Sequence, residues 1–130
     1  MNLDLLLFSF NNAWFGIDIE QLAAITPYRD DEDDDLVSLE RIFGGQPRSY
    51  REPRVISVKG DGAGKMPPYR LLIEAPEDIR NVDWRDVRPL PSLLEPFIRR
   101  LGVWGVLPLD ERLILLLDCH RIDHRLRRKE

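Results

Sequence analysis

The sequence has few of the residues from which metal centres and disulfide scaffolds are built. Its 130 residues include one cysteine, Cys119, and two histidines, His120 and His124. One thiol cannot form an internal disulfide, which fits a reducing compartment and gives no sign of a secreted scaffold. We therefore expect a cytoplasmic protein. We also expect a single domain over residues 1–130, because this length is usual for one folded unit.

The chain also lacks a dominant basic stripe and a long apolar run. Its formal net charge is -4, which disfavours general affinity for nucleic acid or anionic membrane. The apolar start, Met1 to Phe10, is interrupted by Asp4 and Ser9, and the longest apolar run lies between Arg112 and Asp118. Neither approaches the roughly 20 residues that a membrane helix needs. We expect no nucleic-acid partner and no membrane insertion.

What the sequence does contain is a series of short β-rich segments separated by turn residues. Asn11-Asn12 and Asp110-Glu111 are two-residue connections of the kind that join tight hairpins. The arms of these two hairpins are Leu3 to Phe10 with Ala13 to Ile19, and Val103 to Leu109 with Arg112 to Leu117. A third hairpin is predicted for Arg54 to Lys59 with Tyr69 to Ala75, and a further strand for Ile79 to Trp84. Many short strands predict an all-β barrel or sandwich.

Other segments are less regular. Glu20 to Ile25 fits a strand or a short helical turn, and Leu36 to Phe43 fits a short helix or a bent strand that Gly44-Gly45 would end. Val87 to Glu95 carries two prolines and is predicted to be an extended surface connector. Asp118 is the expected cap of a short C-terminal helix in which Ile122 and Leu126 lie one turn apart.

The six acidic residues from Asp30 to Asp35 repel one another and predict a solvated loop. A weak cation-binding loop is the alternative, although no glycine follows as the tight calcium loop demands.

Two clusters suggest chemistry without supplying a complete motif. Gly60 to Lys65 is glycine-rich, but three residues instead of four separate Gly60 from Gly64-Lys65, and Met66 follows where a nucleotide loop needs Ser or Thr. A hairpin turn fits better. Cys119, His120 and His124 are possible metal ligands, and the two histidines would share one helical face. No second Cys pair completes a structural site, so we expect Cys119 to be buried and no metal, cofactor or catalysis. A metal-dependent enzyme on these three residues is the contrasting hypothesis.

The three tryptophans, Trp14, Trp84 and Trp104, are expected mainly in the core. A stacking surface for nucleic acid has little support without interleaved basic residues. One exposed tryptophan at a protein interface is the alternative, because aromatic side chains dominate interface energetics.

Four blocks of sequence are informative when they are taken in order, namely Leu6 to Phe10 with Trp14 to Ile19, Arg70 to Ala75, Trp84 to Pro91, and Gly105 to Asp118. Together they resemble the CheW family of bacterial chemosensory coupling proteins. The last block is the most specific, because it is similar to a family hairpin that ends in Arg-Leu-Ile-Leu-Leu-Leu-Asp. The resemblance implies two small SH3-like five-stranded β-barrels that share a core, with short helices including a C-terminal one.

The resemblance also implies a non-catalytic adaptor whose partners are a chemoreceptor and the regulatory domain of a CheA-type histidine kinase. The residues that it marks as a candidate protein interface are Leu22, Ala24, Leu39, Arg41, Asp110 and Arg112.

The sequence departs from the family between Ile25 and Leu36. The family's Gly-Val-Ile-Asn-Leu-Arg-Gly strand and turn are absent, and with them an arginine that helps partner binding. Ala24 stands where the family often carries a glutamate. A repurposed protein-binding or self-associating module, outside ordinary receptor-kinase coupling, is therefore the alternative function.

Overall fold

A computed structural model of the chain describes residues 1–29, 36–44, 49–64 and 66–127. The acidic run from Asp30 to Asp35 lies outside the described residues, so the prediction of a solvated loop there stays a prediction. The described chain is mostly β, arranged in one five-stranded and one four-stranded sheet. Three short α-helices accompany the strands of this described part.

The five-stranded sheet has the strand order β7-β1-β2-β9-β8. Its strands are β1 (Asn2–Phe10), β2 (Ala13–Asp18), β7 (Asp78–Asp83), β8 (Val103–Leu109) and β9 (Arg112–Leu117). Strands β2 and β9 run parallel, while the other neighbours are antiparallel. The sequence thus predicted the strands of this sheet, whereas the parallel contact joins segments that are distant in the chain.

Both predicted two-residue turns are confirmed, and both need left-handed backbone. Asn11 and Asn12 have φ of 51° and 65°, and Asp110 and Glu111 have φ of 51° and 64°. Positive φ at both central positions matches the right-handed twist of the flanking strands. Asparagine and aspartate tolerate this conformation best, whereas glutamate at position 111 is the least favourable of the four.

The four-stranded sheet has the order β3-β5-β6-β4. It contains β3 (Leu22–Pro27), β4 (Leu36–Ser38), β5 (Pro53–Val58) and β6 (Tyr69–Glu74). The predicted hairpin of β5 and β6 is confirmed by their antiparallel pairing. Strand β5 lies between β3 and β6, and the adjacent residues Val55 and Ile56 are 1% and 0% exposed, so both of its faces are covered.

Glu20 to Ile25 and Leu36 to Phe43, each predicted as a strand or a helical segment, both contain a helical turn and a strand. A 3-10 turn at Ile19–Gln21 leads into β3, and Pro27 is the last residue of that strand. Strand β4 leads directly into helix α1 (Leu39–Phe43), which ends at Gly44 with φ of 86°. Gly44 N donates to Glu40 O at 2.7 Å, so the glycine closes the helix as predicted.

Strand β1 separates two hydrophobic clusters. Leu6, Phe8 and Phe10 lie in a cluster shared by both sheets, which also contains Ile56 and Leu71. The alternate residues of β1 lie in a second cluster inside the five-stranded sheet, namely Leu3, Leu5 and Leu7. Successive side chains of a strand point to opposite faces. Burial of both faces therefore explains why Leu5 to Phe8 is continuously apolar.

A short helix that was not predicted from the sequence begins at Glu95, the last residue of the predicted extended connector. Helix α2 (Glu95–Ile98) begins with a proline in its first turn, a position where proline's missing N–H costs nothing. The C-terminal helix exists as α3 (His124–Arg127), but the prediction that Asp118 caps it is wrong. Asp118 Oδ1 accepts a hydrogen bond from His120 N at 3.0 Å and so closes the turn that lies before the helix. Asp123 Oδ1 instead accepts from Arg125 N at 2.9 Å.

No helix in the described part of the chain is both long enough and apolar enough to cross a membrane.

Candidate protein-binding surfaces

Strand β3 carries two of the predicted interface residues. Leu22 is half-buried and packs against the shared cluster, whereas Ala24 is exposed. Gln21 fixes the start of the strand, because its side chain donates to Asp118 Oδ1 at 2.7 Å and accepts from Cys119 N at 3.0 Å. The strand is therefore held at one end by the terminus of β9 and is exposed after Leu22.

Leu39 and Arg41 lie on α1, at the other end of the four-stranded sheet. Leu39 is 0% exposed, so it is part of the core and cannot contact a partner directly. Its place in the candidate interface is corrected on this ground. Ser38 Oγ caps the helix by accepting from Arg41 N at 3.3 Å. The Arg41 side chain is half-buried, and its Nη1 is buried without a hydrogen-bond partner among the described residues.

Asp110 and Arg112 lie together at the turn of the β8-β9 hairpin, where ion pairs join them to Arg80 in β7 and to Glu77 just before it. Arg80 Nη1 donates to Asp110 Oδ2 at 2.7 Å, and Arg112 donates to both carboxylate oxygens of Glu77 at 2.9 and 3.0 Å. The Arg112 guanidinium also lies 4.0 Å from the ring centroid of Trp14. These bonds hold the pKa values of Glu77 and Asp110 below their ordinary values.

The predicted interface residues therefore do not form one site. Leu22 and Ala24 share β3, Arg41 lies on α1, and Asp110 and Arg112 lie on the other sheet. Both members of the last pair have charged partners within the chain, namely Arg80 and Glu77.

The sequence did not predict an exposed apolar patch where the connector meets α2. Leu93, Leu94 and Phe97 are 82%, 49% and 71% exposed around the start of α2. A signal was present, since three large apolar residues within five positions of a proline-rich surface connector have no obvious core to enter. Arg99 and Arg100 follow in the next turn. We call Leu93, Leu94 and Phe97 the connector patch.

The tryptophans are less buried than expected. Trp84 is 41% exposed, and its ring centroid lies 5.6 Å from that of Trp104. Trp14 and Trp104 are half-buried against the second cluster. The prediction of a core position is wrong for Trp84, because β7 ends at Asp83 and its last turn leaves the indole at the surface.

The structure places Cys119 in the core and His120 half-buried next to it. Cys119 is 0% exposed, as predicted, and burial raises the pKa of its thiol to about 12. His120 precedes α3, so the prediction that it shares a helical face with His124 is wrong. Its Nε2 lies 2.8 Å from Lys59 O. Within the described residues, no three acidic, histidine or cysteine side chains converge as metal ligands.

Comparison with known proteins agrees with this fold. A family model described as the CheW-like domain matches residues 35–126. The chain is similar to the scaffolding protein TtCheW from Thermoanaerobacter tengcongensis, whose crystal structure aligns with a TM-score of 0.69 at 17% sequence identity. That alignment covers 92% of this chain and 91% of that chain. No curated protein matches the chain by sequence.

Proposed function

Because the chain belongs to the CheW-like domain family, we propose that it is a non-catalytic cytoplasmic adaptor in chemosensory signalling. Its partners in this proposal are a chemoreceptor, the regulatory domain of a CheA-type histidine kinase, or both. The connector patch is the observation that carries the proposal, since Leu93 and Phe97 leave 82% and 71% of their surface exposed.

Exposed apolar side chains of this size are costly in water unless a partner covers them. A contiguous apolar patch on a soluble protein commonly marks an interaction site. A few large side chains also supply most of the binding energy of a typical interface. The two arginines after α2 would form a polar rim around the patch. Strand β3, with Leu22 and Ala24, is the second surface that we propose for partner contact.

Binding measurements with purified partners test the proposal. Biolayer interferometry would measure the affinity of the immobilised chain for a receptor cytoplasmic fragment and for a kinase regulatory domain. We expect the double change Leu93→Ser and Phe97→Ser to weaken at least one affinity by roughly 30-fold or more, as losing a hot spot of about 2 kcal/mol implies. Leu113→Ser is the matched control, because Leu113 is 55% exposed and lies on β9, which is not part of the patch.

The outcomes distinguish an error in the proposed coupling function from an error in the proposed contact surface. If the unchanged protein binds neither partner at high micromolar concentration, the coupling function is wrong. If it binds but the double variant binds equally well, the connector patch is not the contact surface and β3 becomes the one to vary.

A protein-binding module outside receptor-kinase coupling is the second candidate. It is favoured by Ala24, which puts an uncharged side chain on the exposed strand where the family often carries a glutamate. A folded protein that binds neither receptor nor kinase would support this alternative over coupling.

A further inference from the structure

A pocket of about 220 Å³ lies at one end of the five-stranded sheet. Strands β1 and β8 begin at this end of the sheet, while β2, β7 and β9 end there. The mouth of a curled β-sheet is a common place for a ligand to bind. None of the lining residues belongs to the connector patch or to β3. Besides two leucines, the lining consists of Asp18, Gln21, Trp84, Trp104, Asp118 and Arg121.

Two indole rings line this pocket, and they come from the outermost strands of the sheet. Trp84 follows the end of β7, and Trp104 lies on β8. Their ring centroids are 5.6 Å apart and their planes are tilted by 45°, so the sheet curls until its two edge strands come together at this end. The face of an aromatic ring attracts cations, and tryptophan does so most strongly. The aromatic part of the lining therefore favours a positively charged ligand.

The charged residues of the lining favour a ligand of the same sign. The carboxylates of Asp18 and Asp118 and the guanidinium of Arg121 give the lining a net charge of -1. Arg121 Nε lies 3.2 Å from Asp118 Oδ2, so these two charges offset each other. Asp18 accepts a hydrogen bond from Glu20 N at 2.9 Å and forms no ion pair within the described chain. The carboxylate of Asp18 is therefore left to attract a cation.

The other polar groups beside Asp18 are already hydrogen-bonded within the chain. The Gln21 side chain donates to Asp118 and accepts from Cys119 N, and Asp118 Oδ1 also accepts from His120 N. A protonated amine has N–H donors that each need an acceptor, and this lining would leave some of them unpaired. A quaternary ammonium group carries the same charge with no N–H donor. Aromatic pockets bind such groups through cation–π contacts.

We propose that this pocket binds a quaternary ammonium group, held against Trp84 and Trp104 and balanced by the carboxylate of Asp18. Choline carries such a group on a small molecule, and trimethyllysine carries it on a protein side chain. The pocket recognises the chemistry that the two share. This binding is independent of receptor-kinase coupling, because it uses neither the connector patch nor β3.

Nuclear magnetic resonance of the indole N–H groups in the isotope-labelled chain measures this binding. Choline chloride should move the Trp84 and Trp104 signals saturably, with a dissociation constant in the millimolar range or below. Trp14 is the internal control, since it lies near the beginning of β2 whereas the pocket lies at the end of that strand. Sodium chloride at the same ionic strength should leave the signals in place. So should the neutral analogue of choline, in which carbon replaces the charged nitrogen.

A peptide that contains trimethyllysine distinguishes the two carriers of the group. Whichever of choline and this peptide binds more tightly identifies the carrier that the pocket prefers.

Two variants test the roles of the ring and of the charge. Trp84→Leu keeps an apolar side chain without the ring, and it should raise the dissociation constant for choline roughly tenfold. Asp18→Asn keeps an oxygen that accepts from Glu20 N but removes the charge, so it should weaken binding severalfold. Asp86→Asn is the matched control, because Asp86 is exposed just after Trp84 and does not line the pocket. It should leave the dissociation constant unchanged.

Thermal unfolding of every variant checks that the fold is intact. The absence of a saturable shift with both choline and the peptide would overturn the proposal. Equal binding of the neutral analogue would overturn it as well, and so would choline binding that is indifferent to both Trp84→Leu and Asp18→Asn.

Discussion

Replacement of Gly102 by alanine tests how closely the C-terminal segment packs against the rest of the chain. Gly102 lies between the 3-10 turn Arg99–Leu101 and β8, with φ of 88°. A Cβ at this position would lie 2.6 Å from Ile122 Cγ1 and 2.9 Å from Asp118 O. Asp118 N also donates to Gly102 O at 2.8 Å. The side chain would therefore strike the segment that follows β9, and one of its contacts is rigid backbone.

The expected loss of stability has two parts. Left-handed backbone costs an L-residue about 1–2 kcal/mol, and overpacking a closed site costs about 1–3 kcal/mol, so Gly102→Ala should lose about 2–5 kcal/mol. Gly62→Ala is the control, because Gly62 has φ of 77° but no atom within 4 Å of its would-be Cβ. It should lose only about 1–2 kcal/mol.

Urea unfolding at equilibrium measures both losses. The two variants should have the same dependence of unfolding free energy on urea as the unchanged protein, with midpoints displaced by different amounts. Equal losses of unfolding free energy in Gly102→Ala and Gly62→Ala would refute the close packing of Ile122 and Asp118 against Gly102. A loss confined to Gly62→Ala would refute it equally.

Two further predictions concern pH and thiol reactivity. The hydrogen bond from Arg112 holds the pKa of Glu77 below its ordinary 4.5, so its stabilising effect is present at neutral pH and is lost as pH falls through the lowered folded pKa. Glu77→Gln should therefore lower the free energy of unfolding near pH 7 and change it little at the acid end, in unfolding curves measured at several pH values. Glu111→Gln is the control. A loss of stability in Glu77→Gln that grows as the pH falls would contradict the pairing of Glu77 with Arg112. At pH 8, burial and a thiol pKa of about 12 should make Cys119 label with a thiol reagent roughly a thousandfold more slowly in the native protein than in denaturant. Native labelling within tenfold of the denatured rate would show that the thiol is accessible.

Much of the strand order along the chain could be predicted because the signals are local. Asn11-Asn12 and Asp110-Glu111 adopt left-handed backbone in tight turns, and the alternation of side chains on each arm follows from strand geometry alone. The family resemblance then indicated how the strands assemble, and the match to the CheW-like domain agrees with it. Helix positions were less predictable, because Asp118 and Asp123 are both good caps and only the tertiary path selects between them.

The candidate interface was predictable only in part, because exposure depends on partners that are distant in sequence. Leu39 and Leu93 are both leucines near a short helix, yet one is 0% exposed and the other 82%. Leu39 follows a strand that pairs with β6, which directs it into the shared core. Leu93 lies on the connector and remains exposed, although Leu90 and Ile98 nearby pack against the shared cluster. The sequence alone could not distinguish these two environments.

The sequence by itself determined the two tight turns and most of the strands, because backbone conformation and the alternation of side chains are properties of neighbouring residues. The tertiary structure alone decided which edges are covered. The outer side of β8 meets Arg88 from the connector, while β3 meets no strand of the described chain on its outer side. Pairing between distant segments assigns each backbone group its partner. It therefore also decides where the surface is left able to bind another chain.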